Sequence, residues 1–106
     1  MDLDAILELF APNARVTYGK SPLMVGYDDI RAGVRQLYDR LQAVSHSFVH
    51  VWTVDDDLIV VADVTYHRTD GTSVMCPAAT TIHFDDNDKI DEYRVFVDLS
   101  PLESVE

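Results

Sequence analysis

The stretch from residue 44 to residue 98 limits the fold more than any other. It reads as four long strands, residues 44–54, 58–68, 73–84 and 89–98, separated by Asp55-Asp56-Asp57, Asp70-Gly71 and the run from Asp85 to Asp88. β-Branched and aromatic residues crowd the strands, while Asp, Asn and Gly supply the tight backbone of the turns. Connections this short make successive strands antiparallel neighbours.

The first part of the chain has a different period. Leu3, Ile6, Leu7 and Phe10 recur at helical spacing until Pro12, which predicts a short amphipathic helix over 2–11. Residues 14–19 alternate with Val16 and Tyr18 on one side, and Pro22 to Gly26 suggests a second short strand, so the two form a small hairpin. Asp28 then stands as the N-cap of a second helix, with Ile30, Val34, Leu37, Tyr38 and Leu41 on one buried stripe. Gly33 weakens that helix by about 1 kcal/mol relative to Ala, a deficit the packed stripe offsets.

Two helices followed by a four-stranded meander is an α+β plan, with the helices on one face of a curved, mostly antiparallel sheet. The 106 residues suffice for one domain with a single core, and no repeat, linker or low-complexity segment divides them. Both parities of the strands are apolar. Phe48, Trp52 and Val54 oppose Val49 and Val51, and Val60, Ala62, Val64 and Tyr66 oppose Ile59 and Val61. Two helices cover only one face, so the open face is expected to meet a second copy in a homodimer.

Charge removes several classes of partner. Eight Lys and Arg against nineteen Asp and Glu give a net charge of -11, which repels a phosphate backbone and argues against nucleic acid. No run approaches the ~18 apolar residues of a membrane span, and MDLDAILELF lacks the basic start of a signal peptide, so a cytoplasmic protein is expected. Cys76 is the single cysteine, placed in an apolar strand as a packed thiol.

No cofactor or metal is expected. His46 and His50 share a face, but four residues along a strand separate them by about 13 Å, too far to share an ion. The run Asp85 to Asp88 lacks the glycine and terminal glutamate of a calcium loop, and it reads with Asp55 to Asp57 as solvated turns. A phosphate-cradling glycine loop and a Gly-x-Ser-x-Gly elbow are both missing from the sequence.

The last strand, Lys89 to Asp98 (KIDEYRVFVD), carries two charges on the parity that holds Ile90 and Phe96. An unpaired buried carboxylate costs several kcal/mol, so Arg94 and Asp98 must be paired, lie at the rim, or face a wet pocket. Asp63 poses the same question inside its apolar strand.

The order of these pieces resembles the SnoaL-like family of the nuclear transport factor 2-like superfamily, which includes ketosteroid isomerase. The residues that carry the resemblance are LFAPNARVTYG at 9–19, Gly26 with Ile30, His46, and the run from Asp70 to Leu102 with its closing Lys-Ile, Arg94, Phe96, Asp98 and Pro-Leu. The resemblance implies a cone-like α+β barrel, its helices packed on the concave face of the curved, mostly antiparallel sheet so as to leave a pocket there. That fold hosts isomerases, cyclases, dehydratases, hydrolases and non-catalytic binding modules. It further implies a cofactor-free acid-base enzyme acting on a small hydrophobic carbonyl or cyclic substrate. The alternatives are a non-catalytic small-molecule-binding module and a dimeric scaffold with a filled core. The first helix is short, and no Tyr-Asp arrangement of the dehydratase kind is present there.

On this resemblance Asp98 matches the acid-base carboxylate of cyclase-type relatives, with its pKa raised by apolar walls. The structural alternative is that Asp98 caps the strand end or pairs with Arg94. His46 matches the catalytic histidine of dehydratase-type relatives, and its alternative is a satisfied sheet histidine. Asp63 is the third acid-base candidate. Arg94 either orients a substrate oxygen or pairs with a carboxylate such as Asp63. Tyr18, Trp52, Tyr66, Met75 and Phe96 are candidates to line the cavity for a small hydrophobic molecule.

Overall fold

The computed structural model describes residues 3–103. Helix α1 (Leu3–Leu7) leads into strand β1 (Phe10–Tyr18), the two-residue β2 (Met24–Val25) and helix α2 (Gly26–Tyr38). Strands β3 (Leu41–Val54), β4 (Asp57–Arg68), β5 (Ser73–Phe84) and β6 (Ile90–Val97) follow as the meander, and α3 (Ser100–Glu103) comes last. The six strands form one open, curved sheet in the order β2-β1-β6-β5-β4-β3. Every pairing is antiparallel except β1 with β6, which joins the N-terminal hairpin to the meander. No helix among the described residues is long and apolar enough to cross a membrane.

The α+β plan holds, with shifted boundaries. Position 2, where the first helix was expected to begin, lies outside the described residues. That helix ends at Leu7 because Phe10 is drawn into the sheet opposite Ile90, and the Ile90 N–H donates to the Leu9 carbonyl at 2.9 Å. Pro12 then falls where the β1–β6 register shifts, between Phe10 and Arg15, and where β2 does not reach. Helix α2 starts two residues before the expected cap, with Val25 as N-cap. Gly26, at φ +84°, makes the turn from β2 into α2, a conformation that costs a side chain energy. The Asp29 carboxylate accepts the Val25 N–H at 3.1 Å, closing the first turn. Leu41, read as the end of the helical stripe, opens β3.

Two apolar clusters sit between the helices and the concave face. One joins Leu7, Phe10, Ala14, Val16, Ile30 and Ile90 under α1 and α2; Ile30 is 1% exposed. The other joins Leu41, Val64, Tyr66, Cys76, Val95 and Leu102 at the α3 end. Cys76 is buried there, and burial, then the Asp98 charge, pushes its thiol pKa up, as a packed thiol requires.

Three further register shifts, in β3 and β6, decide which residues of the meander face inward. Between Phe48 and His50 β3 advances two residues while β4 advances one, from Ala62 to Val61. A similar shift falls between Leu41 and Ala43. Between Ile90 and Glu92 β6 advances two while β5 advances one, from Phe84 to His83. Each is a β-bulge, and each reverses the inward parity beyond it.

Candidate functional site

Beyond the helices the concave face opens as a cavity of about 390 Å³. Alternate residues of each strand line it: Val60, Ala62 and Val64 from β4, Ala78, Thr80 and Ile82 from β5, Tyr93 and Val95 from β6. Tyr18 enters from β1, and His46 and Phe48 from β3. The walls are apolar because the strand alternation aims aliphatic side chains inward on three consecutive strands. The β3 side is open, where Phe48 is 67% exposed.

The polar groups of the cavity are few and placed at particular points. The Tyr18 hydroxyl is hydrogen-bonded to the hydroxyl of Tyr66, which lies beneath the floor at 0% exposure. Burial, and next the bond to Tyr66, raises the Tyr18 pKa. Burial also raises Tyr66, Tyr93 and Tyr38, so these phenols are neutral at neutral pH and serve as hydrogen-bond donors and acceptors. A hydroxyl can donate once and accept twice, so the Tyr18–Tyr66 bond leaves capacity for a ligand oxygen. His46 stacks on Phe48, with ring centroids 6.1 Å apart. No carboxylate lines the cavity among the described residues.

Of the residues singled out from sequence, Tyr18 and His46 line the cavity and Tyr66 supports it from below. The others lie elsewhere. Asp98 follows β6, exposed, and accepts the Ser100 N–H at 3.0 Å and the Ser100 hydroxyl at 2.6 Å. Those bonds lower its pKa, the reverse of the expected elevation, and they cap the start of α3. At the other end of α3, Arg68 donates to the carbonyls of Pro101 (2.9 Å) and Leu102 (3.1 Å). Of the two structural alternatives for Asp98, the pair with Arg94 is not formed among the described residues; the Arg94 guanidinium lies 5.0 Å from the Phe96 ring centroid.

Arg94, Phe96, Met75, Trp52 and Asp63 face the convex side, opposite to the inward residues of their strands. For Arg94 and Phe96 the cause is the bulge at Asp91: Ile90 points to the helices, but its parity does not extend to Tyr93 and beyond. For Trp52 and His50 the cause is the bulge at Val49, which also puts His46 and His50 on opposite faces. Asp63 and Arg94 are not paired, because β5 runs between their strands. Among the described residues no three His, Cys, Asp or Glu side chains gather as a metal site.

Sequence reasoning missed Tyr93 as a lining residue, and reached Val95 only as the residue that one bulge in the last strand would turn inward in place of Arg94. The only available signal was the Tyr-x-Val alternation beside Val97, and without the bulge it points to the wrong face.

No curated protein matches the chain. Solved structures match well in shape. A protein named for its likeness to SnoaL-like polyketide cyclases, from Jannaschia sp. CCS1, superposes with a TM-score of 0.83 at 20% identity, covering 95% of this chain and 75% of that one. A protein of ketosteroid isomerase-like fold from Catenulispora acidiphila DSM 44928, in complex with trimethylamine, gives 0.83 at 18% identity, over 94% and 78%. TerC co-crystallised with polyporic acid gives 0.81 at 15% identity, over 96% and 83%. At these identities the likeness establishes the fold. The SnoaL-like domain profile matches residues 1–93, and the chain belongs to the SnoaL-like domain family.

Proposed function

We propose that the chain is a cofactor-free acid-base enzyme whose cavity takes a small, largely apolar molecule with one carbonyl or phenolic oxygen. Tyr18 holds that oxygen by a hydrogen bond, and His46 exchanges a proton with the bound molecule. The observation that carries this reading is the Tyr18–Tyr66 hydroxyl pair set in apolar walls with His46 across the same cavity. When Tyr66 donates to Tyr18, the Tyr18 hydroxyl proton is left for a ligand, and among apolar walls such a donor stabilises negative charge developing on a carbonyl oxygen. Imidazole suits proton transfer near neutral pH. Isomerisation, aldol-type cyclisation and dehydration share this step. Asp98 and Asp63 take no part in it, since the first is held ionised outside the cavity and the second faces away.

A second reading, a binding module without chemistry, is favoured by the lack of a carboxylate in the lining. The trimethylamine and polyporic acid found with two neighbours support small-molecule binding in either case. The two readings separate in an experiment on deuterium exchange α to the carbonyl of a bound cyclic ketone. Exchange above the buffer rate that His46→Gln abolishes while binding persists supports the enzyme. Binding without exchange supports the carrier, and no binding of ketones or phenols sinks both.

We further propose that the convex face meets a second copy. Trp52, Met75 and Phe96 are exposed on that face, beside Ile59, Val61 and Ala79. Several large apolar side chains exposed on one sheet face are a mark of an interaction surface. Sedimentation as a 12.0 kDa species at all concentrations would rule the dimer out.

A further inference from the structure

On the β1 side of the convex face is a shallow depression of about 310 Å³, lined by Arg15, Thr17, Leu23, Glu92 and Arg94. Arg15 and Thr17 come from β1, Glu92 and Arg94 from β6, with Arg15 opposite Glu92 and Thr17 opposite Arg94 in parallel register. The exposed Leu23, just before β2, forms an apolar wall.

Basic residues are scarce in a chain of net charge -11, and two other arginines have partners. Arg31 pairs with Asp4 and Asp28. Arg68 donates to Thr72 and to the carbonyls that end α3. Among the described residues Arg15 and Arg94, like Arg35 and Arg40, form no ion pair, even with Glu92 beside them; what sets them apart is that one depression gathers both. The Arg94 guanidinium carbon lies over the Phe96 ring, 5.0 Å from its centroid, and no hydrogen bond to another described residue occupies its N–H donors. Two such forks at one concavity suit an oxyanion, which accepts two parallel N–H bonds from each.

We propose that this depression binds an oxyanion, the carboxylate or phosphate of a small molecule, between Arg15 and Arg94. The Thr17 hydroxyl supplies a third donor, and Leu23 packs against an apolar part of the ligand. Glu92 opposes the anion and keeps the affinity modest. The site does not depend on the chemistry proposed for the cavity; it lies on the convex face at its β1 side, bordering through Phe96 the surface proposed to meet a second copy.

The test is an NMR titration of the arginine Nε–Hε signals of the full chain, with benzoate in one arm and phenyl phosphate in the other. Chloride holds the ionic strength constant. Saturable shifts at both Arg15 and Arg94 are expected, weakened roughly tenfold or more by Arg15→Gln or Arg94→Gln. Glu92→Gln, which removes the repelling carboxylate, tightens binding several-fold, and Arg31→Gln leaves it unchanged. Saturation in only one arm identifies the preferred oxyanion. Shifts that rise linearly in both arms, or saturable binding that survives Arg94→Gln, overturn the proposal.

Discussion

Tyr66 is fully buried, and its hydroxyl is satisfied by Tyr18 alone among the hydrogen bonds of the described side chains. Replacing Tyr18 by Phe therefore removes a donor from the cavity and orphans a buried hydroxyl beneath it, a loss of about 1–3 kcal/mol. Tyr66→Phe is expected to cost less, because Tyr18 retains access to the cavity. The double replacement is expected to cost less than the sum of the singles, since two apolar rings leave no orphan; denaturant unfolding of the four proteins measures this coupling. His83 makes the other side-chain prediction. Its Nδ1 lies 2.5 Å from the Asp91 carboxylate, and that bond, with the Asp91, Asp57 and Asp56 charges, raises its pKa above the ordinary histidine value. A raised folded-state pKa stabilises fully below the unfolded value of about 6.5 and ceases to do so as pH rises through the folded value. Wild type should thus exceed His83→Gln in melting temperature at about pH 5.5, and the gap should close by about pH 9. A gap that widens with pH would reverse the assigned charge state.

The elements show why the strands were readable from the sequence and the site was not. Four long alternating stretches with Asp- and Gly-bearing turns specify an antiparallel meander through local chemistry, and β3 to β6 follow it closely. A bulge has no such signature. Asp91 and Val49 look like ordinary strand residues, yet each extra residue reverses the faces of the strand beyond it, so Arg94, Phe96 and Trp52 turn outward while Tyr93 and Val95 turn in. The pairing of Tyr18 with Tyr66 was equally hidden, because it joins β1 to β4 across the fold. Helix α2 gives a further example at Gly33. Propensity alone predicts that Gly33→Ala gains about 1 kcal/mol, but an added Cβ would stand 2.2 Å from the Met24 sulfur. Overpacking of that kind costs about 1–3 kcal/mol, so Gly33→Ala is expected to be neutral to destabilising in the native chain. In a Met24→Ala background the obstruction is gone, and the same substitution should stabilise by about 1 kcal/mol, as read by denaturant midpoints.

Over the whole molecule, the acidic turns gather at one end of the sheet, while its convex face mixes exposed apolar side chains with Asp63 and Arg94. The acidic runs Asp55–Asp57 and Asp85–Asp88 cluster at one end of the sheet, joining β3 to β4 and β5 to β6. Trp52, Met75 and Phe96 occupy its convex face. Two copies brought face to face would gain from burying that patch and lose from the repulsion of two chains of charge -11. The balance between these terms responds to salt in a definite direction. Raising ionic strength from about 0.01 M to about 1 M shortens the screening length from about 30 Å to about 3 Å, which weakens the repulsion and leaves apolar burial in place. Self-association measured by sedimentation should therefore strengthen with salt, by roughly tenfold or more in the dimer dissociation constant, equivalent to about 1.4 kcal/mol. Trp52→Glu, which puts a carboxylate in the patch, should abolish association at both ends of the range. A dimer that dissociates as salt rises would instead be held by ion pairs, and the apolar face would then have to serve another partner.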